Sequence, residues 1–224
     1  MSLLTKSLES SNQKPKKLML TIEGNIGVGK TSVIKKLKNR FAQDNTVCVI
    51  EEPVDMWIET KVLHKMYNKE ISALEFQLFA LSSRFARIVE ALINPNITLI
   101  IIERSIEADF KIFAKINLTS SQDLNMYEAS YLSMNKIITQ QLSQIHIFMQ
   151  CKISTILERI HKRGRQEEKN ITESYLRQLK EAQDEWAHKL PASSKKIIDA
   201  ELDPEKVYAD LLQVILDNKV YLSR

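Results

Sequence analysis

Five short apolar runs, over residues 18–22, 46–50, 97–102, 145–150 and 195–198, divide a chain whose other apolar residues recur at helical spacing. The third run, Ile-Thr-Leu-Ile-Ile-Ile, has no polar alternation, which predicts a strand covered on both faces. Helices are predicted over 31–41, with Val33, Ile34 and Leu37 on one side, and over 74–92, 127–142 and 170–189. The last of these opens with Asn170-x-x-Glu173, a start resembling a capping box. Asp203 as N-cap with Pro204 behind it predicts a final helix carrying Val207, Leu211, Leu212 and Ile215. Strands alternating with helices predict an α/β fold with a five-stranded parallel sheet and right-handed crossovers. Residues 1–17, rich in Ser, Lys and Asn and without an apolar core or an arginine, read as a disordered tail. Residues 18–224 read as one domain, large enough to bury a substantial core.

The first run ends in chemistry. Gly24-Asn25-Ile26-Gly27-Val28-Gly29-Lys30-Thr31-Ser32 satisfies G-x-x-x-x-G-K-T, the Walker A phosphate loop, between a buried strand and a helix. Its glycines let backbone N–H groups face an anion, and the helix N-terminus adds partial positive charge. Lys30 supplies a point charge for the outer phosphates, and Thr31 offers its hydroxyl to Mg²⁺. This pattern predicts binding of a nucleoside triphosphate.

Three runs end at their carboxyl sides in Glu23-Gly24, Glu51-Glu52 and Glu103-Arg104. The carboxyl ends of parallel strands form the ligand crevice, so these groups converge on the phosphate loop. Glu103 could reach the metal through water. Glu52 is the better candidate than Glu51 for accepting a hydroxyl proton, because Pro53 holds it extended at the strand exit. Arg104 could bridge the acceptor oxygen and the transferred phosphoryl group. Downstream, Arg159 and Arg163 lie one helical turn apart, and Gly164 breaks the pattern before Arg165. The segment reads either as a solvated charge run or as a lid over a triphosphate, and the phosphate loop favours the lid.

Composition narrows the class. With 44% apolar and 27% charged residues and a net charge of only +4, the chain fits small anionic ligands at least as well as a dedicated nucleic-acid surface. Cys48 and Cys151 lack zinc-ligand or C-x-x-C spacing and read as reduced, buried thiols. No apolar stretch has the length of a membrane span, and a cytoplasmic setting is expected.

The segments I-E-G-N-I-G-V-G-K-T, E-P-V-D-M-W (52–57), F-Q-L-F-A-L-S-S-R (76–84), E-R-S-I-E-A-D (103–109) and R-I-H-K-R-G-R-Q-E-E (159–168), continued by I-T-E-S-Y-L-R-Q-L (171–179), resemble the deoxyribonucleoside kinases of the deoxycytidine/deoxyguanosine type. The resemblance runs from about residue 18 to 212. It implies a P-loop kinase fold with an arginine-rich lid, ATP or UTP as donor, Mg²⁺ as cofactor, and a homodimer. It implies Glu52 as the base for the nucleoside 5′-hydroxyl, Arg104 beside that hydroxyl, and Glu103 near magnesium. It places Gln77 on the base edge and Phe113 against the base, with Trp57, Leu63 and Phe76 lining the pocket. Tyr67 and Glu168 would hold the sugar 3′-hydroxyl. Arg159, Arg163 and Arg165 would be lid arginines, and the segment around Asp199 would hold the donor base. Outside that resemblance the aromatic residues would read simply as core.

Ala80, Arg84 and Asp109 match the deoxycytidine- and purine-specific members, whereas thymidine-preferring members carry smaller or apolar residues at the last two positions. Arg84 lies two helical turns after Gln77 and so faces the same pocket. Deoxycytidine and deoxypurine nucleosides are therefore expected over thymidine. Alternatives are a thymidine-preferring or broad-specificity kinase, a nucleoside monophosphate kinase, and a non-catalytic P-loop subunit. A monophosphate acceptor would be repelled by Glu52, and intact Lys30, Glu52, Glu103 and Arg104 argue against loss of chemistry. The Asn-Lys-x-Asp motif of a regulatory GTPase is absent.

Overall fold

The computed structural model describes residues 17–165 and 168–222, without the side chains of Tyr67 and residues 220–222. Residues 1–16 of the expected tail lie outside that description, while Lys17 opens the first strand. All five runs are strands: β1 (Lys17–Gly24), β2 (Val47–Ile50), β3 (Leu99–Glu103), β4 (Leu142–Gln150) and β5 (Lys195–Asp199). Every pairing is parallel, in the order β2-β3-β1-β4-β5. β3 is buried at all five positions, as its unbroken apolar run requires.

Core clusters cover both faces of the sheet. Leu18, Leu20, Ile22, Leu99 and Ile101 pack with Ile34 and Leu37 of α1 (Lys30–Arg40) and with Leu211 and Ile215 of α10 (Pro204–Leu222). Met19, Ile100 and Ile102 instead pack with Leu81 and Ile88 of α4 (Ala73–Ile93) and with Tyr127 and Ile138 of α7 (Ser121–Gln141). Of the remaining helices, α2 (Val54–Glu59), α3 (Val62–Tyr67), α5 (Ile106–Ala108) and α6 (Lys115–Asn117) are short, while α8 (Ile153–Arg163) and α9 (Glu173–Lys189) join the first cluster through Ile156, Ile160, Leu176 and Leu179. Among the described residues no helix is long and apolar enough to cross a membrane, and both cysteines are free; Cys151 is buried as expected, but Cys48, on the short edge strand β2, is only half-buried.

Boundaries differ from the sequence expectation where caps decide. Thr172, not Asn170, is the N-cap of α9, its hydroxyl accepting the Tyr175 N–H at 3.1 Å. α7 begins six residues before the apolar repeat is visible, because Ser120 caps it by accepting the Asp123 N–H at 3.3 Å. At its other end Leu142 belongs to β4, the chain passing from helix to strand with no intervening turn residue. The Asp203–Pro204 start is observed as expected, with the Asp203 carboxylate accepting the Glu205 N–H at 2.9 Å.

Candidate active site

Three strand ends meet at the carboxyl edge of the sheet, with β1 between β3 and β4. Strand order reverses there, which opens a crevice. The phosphate loop leaves β1 at Gly24 and enters α1, whose N-cap Gly29 stands at φ 109°. Gly27 has φ 80°, and a Cβ there would lie 2.8 Å from Ile160, so α8 packs against the loop too closely for alanine. Lys30 is buried and curls back onto the carbonyls of Gly24 (3.0 Å) and Asn25 (2.9 Å). Burial first, and the nearby Arg104 second, pull its pKa down to about 7.

The acidic strand ends separate by role. Glu51 pairs with exposed Lys38 at 2.7 Å. Glu52 turns inward and meets Arg84 at 3.0 Å and Arg104 at 3.2 Å. Burial pushes its carboxyl up, but Arg104, Arg84 and Lys30 override that and hold it at about 2. Arg104 itself stands at φ 65°, a left-handed conformation that costs a non-glycine residue about 1–3 kcal/mol. Its guanidinium lies 4.3 Å from the centroid of the Phe113 ring. Glu103 accepts the Thr31 hydroxyl at 2.7 Å through one oxygen, and its other oxygen is buried without a hydrogen-bond partner. Burial and then Glu52 raise its pKa. A hydroxyl beside a carboxylate with an unused oxygen is an all-oxygen donor set suited to a small hard cation.

Beside Glu52, α4 presents Gln77, Ala80 and Arg84 on its buried face. Arg84 donates to both oxygens of Asp109 (2.8 and 3.2 Å), to the Glu103 carbonyl (3.2 Å) and to Glu52 (3.0 Å). Those bonds engage four of the five N–H groups of a guanidinium. Asp109 opens a π-helical turn, Asp109–Ala114, which also carries Phe113. Trp57 donates to Ser83 at 3.0 Å and meets Phe76 edge to face at 5.7 Å, and Arg84 lies 5.7 Å from its ring. Leu63 is half-buried on α3. The aromatic residues expected in the acceptor pocket therefore come together around Glu52, Arg84 and Arg104.

On the other side of the loop is a cavity of about 380 Å³, lined by Gly27, Lys30, Thr31, Arg159, Arg163 and a wall of Ala200, Leu202, Pro204 and Val207. Arg159 donates to the carbonyls of Val28 (3.0 Å) and Ala200 (2.9 Å), tying the phosphate loop to that wall. Asp199 does not line the cavity. Its carboxylate accepts the Glu201 N–H at 2.9 Å and shapes the turn bearing Ala200 and Leu202. The wall residues were missed from sequence because an alanine, a leucine, a proline and a valine carry no chemical signature. Arg163 meets Glu168 at 2.6 Å and Arg165 meets it at 3.5 Å, so Glu168 sits with the arginines expected in a lid. The side chain of Tyr67, its expected companion, lies outside the described residues, as do residues 166 and 167.

A five-stranded parallel sheet whose first strand feeds a phosphate loop, with a carboxylate and an arginine at the neighbouring strand ends, defines a P-loop kinase fold. Residues 20–220 match the family model described as deoxynucleoside kinase, and the chain belongs to that family of ATP-dependent nucleoside phosphotransferases. It is 30% identical over 209 residues to deoxycytidine kinase of Homo sapiens, covering 80% of this chain and 79% of that one. It is 27% identical over 210 residues to thymidine kinase of Ictalurid herpesvirus 1, covering 90% and 87%. Among solved structures it resembles deoxyadenosine kinase from M. mycoides with products dCMP and a flexible dCDP bound, at TM-score 0.72 and 25% identity over 89% of this chain and 99% of that one.

Proposed function

We propose that this kinase transfers a phosphoryl group from ATP to the 5′-hydroxyl of deoxycytidine and deoxypurine nucleosides in preference to thymidine. The observation that carries this reading is the buried Arg84–Asp109 pair beside Glu52. Asp109 keeps lone pairs for an exocyclic amine, which cytosine and adenine possess and thymine lacks. One N–H of Arg84 remains for a base acceptor, and Gln77 offers a donor and an acceptor to the same edge.

The mechanism follows from charge placement. The loop amides and Lys30 hold the outer phosphates. The Thr31 hydroxyl and Glu103 would hold Mg²⁺, which would supply neutralisation of charge on the donor phosphates. Glu52 takes the proton of the 5′-hydroxyl. A carboxylate held at about 2 is a weak base, so it suits a proton that leaves late, once bonding to phosphorus has made the hydroxyl acidic. Arg104 steadies Glu52 before reaction and faces the transferred group during it. Arg163 and Arg165 serve the donor, Glu168 with Tyr67 the sugar 3′-hydroxyl, and Phe113, Trp57, Leu63 and Phe76 the base.

The deciding experiment is phosphorylation of the four natural deoxynucleosides side by side, with ATP and with UTP as donors. Deoxycytidine and at least one deoxypurine nucleoside should exceed thymidine in kcat/KM. A thymidine-first ranking would overturn the specificity reading.

Lys30 gives a second test. With its pKa at about 7, Lys30 is largely neutral at about pH 8, and a bound triphosphate favours its charged form. Donor binding should therefore take up nearly one proton at about pH 8 and little at about pH 6. Calorimetry in buffers of different ionisation enthalpy measures this. Uptake that is flat across that range counts against a depressed Lys30.

We also infer a homodimer in a cytoplasmic setting. Exposed Met126 and Ile137, about three helical turns apart on one side of α7, support self-association.

A further inference from the structure

Buried Glu23 and His146, with half-buried Glu107 at their margin, form a charged group that the phosphoryl-transfer scheme leaves unused. Glu23 is the last residue before Gly24 and its side chain is fully buried. One oxygen accepts the Ser105 N–H at 3.0 Å and lies 3.8 Å from His146 Nδ1, and the other has no hydrogen-bond partner. His146 lies 2.8 Å from Glu107 through Nε2 and 2.7 Å from the Thr21 hydroxyl through Nδ1, with the Trp186 ring against it at 4.9 Å. Burial disfavours charge on both groups, yet Glu107 and Glu23 raise His146 to about 9, and His146, Ser105 and Arg104 bring Glu23 to about 2.

Apolar residues would fill this space at less desolvation cost, so the charges call for another explanation. The Ser105 amide follows immediately on Arg104, the left-handed residue at φ 65°. One residue beyond Glu23, the Gly24 carbonyl accepts Lys30 at 3.0 Å and Arg104 at 3.5 Å. Glu23 thus stands at the joint between the phosphate loop and the Arg104 turn.

We propose that Glu23 is a positioning residue for Arg104: its carboxylate, paired with His146, holds the Ser105 amide and so fixes the turn that aims the guanidinium at Glu52. This rests on the reading of Arg104 as the arginine at the reacting hydroxyl. Steady-state kinetics of Glu23→Leu, which removes the acceptor of the Ser105 amide at similar size, of Arg104→Lys and of the double variant, with ATP and the deoxynucleoside of highest turnover, test it. Glu23→Leu should lower kcat about 10-fold or more, with both KM values within about 3-fold. Placed on Arg104→Lys, the same change should cost no more than about 2-fold. Full multiplication of the two losses, or a loss confined to KM or to thermal stability, overturns the proposal. Full kcat in Arg104→Lys alone would instead remove the role of Arg104 on which it rests. Should Glu23→Leu not fold, His146→Gln reads the same coupling; failure of both to fold would make the group a folding element and equally overturn the positioning role.

Discussion

Glu52→Gln is expected to lower kcat by about 10²–10⁴-fold, the range for loss of a positioned general base. The substitution keeps the side chain's size and leaves an oxygen that can still accept from Arg84 and Arg104, now 3.0 and 3.2 Å from the native carboxylate. Nucleoside affinity should therefore change far less than turnover, a pattern that marks a group acting in the transition state. Glu52→Ala should do worse, because it strands two buried guanidinium groups without their shared partner. Single-turnover phosphorylation combined with nucleoside binding by calorimetry separates these effects. Turnover in Glu52→Gln within a factor of a few of the native enzyme would assign the proton to another acceptor and leave residue 52 as a structural anion.

The sheet was legible because parallel strands buried on both faces lose their polar alternation, as β3 does at every position. β4 was read three residues short. Its beginning, Leu-Ser-Gln, alternates with polar residues at the exposed margin and directly follows a helix, so no turn residue announces it. Strand order was not legible, since it is set by which faces the crossovers cover and not by any one strand. Helix starts fell to whichever hydroxyl the backbone turned toward the first N–H groups, and Thr172 lies two residues from an equally plausible Asn170.

The site was legible where chemistry is tied to a local motif. The phosphate loop, the Glu52 strand exit and the Glu103-Arg104 pair each announce themselves within a few residues. Contacts that join distant segments do not. Nothing about His146 in sequence says that it stands between Glu23 and Glu107, because the pairing arises only when β1 and β4 lie side by side in register Thr21 to His146. The direct bond from Arg84 to Glu52 was likewise invisible. On the proposed reading it joins the choice of base to the rate of transfer, and this changes what a specificity variant should do.

Arg84→Met with Asp109→Ala should raise the thymidine-to-deoxycytidine ratio of kcat/KM by about 10–200-fold, the range for admitting or excluding one methyl-sized group. Absolute turnover should fall in the same variant, because Arg84 also holds Glu52 and only Arg104 remains to orient it. Stability separates the single changes from the pair. Arg84→Met alone leaves Asp109, whose side chain is 4% exposed, as a buried charge without its bidentate partner. Breaking a buried pair from one side costs about 3–5 kcal/mol. Removing both members deletes the stranded charge, so the double variant should unfold at higher denaturant than Arg84→Met. Asp109→Ala alone should lie between them, since Arg84 keeps Glu52 and the Glu103 carbonyl. A folded double variant that still turns over deoxycytidine with an unchanged nucleoside preference would show that the base is read elsewhere. In that case the Arg84–Asp109 pair would serve only to hold Glu52 in place.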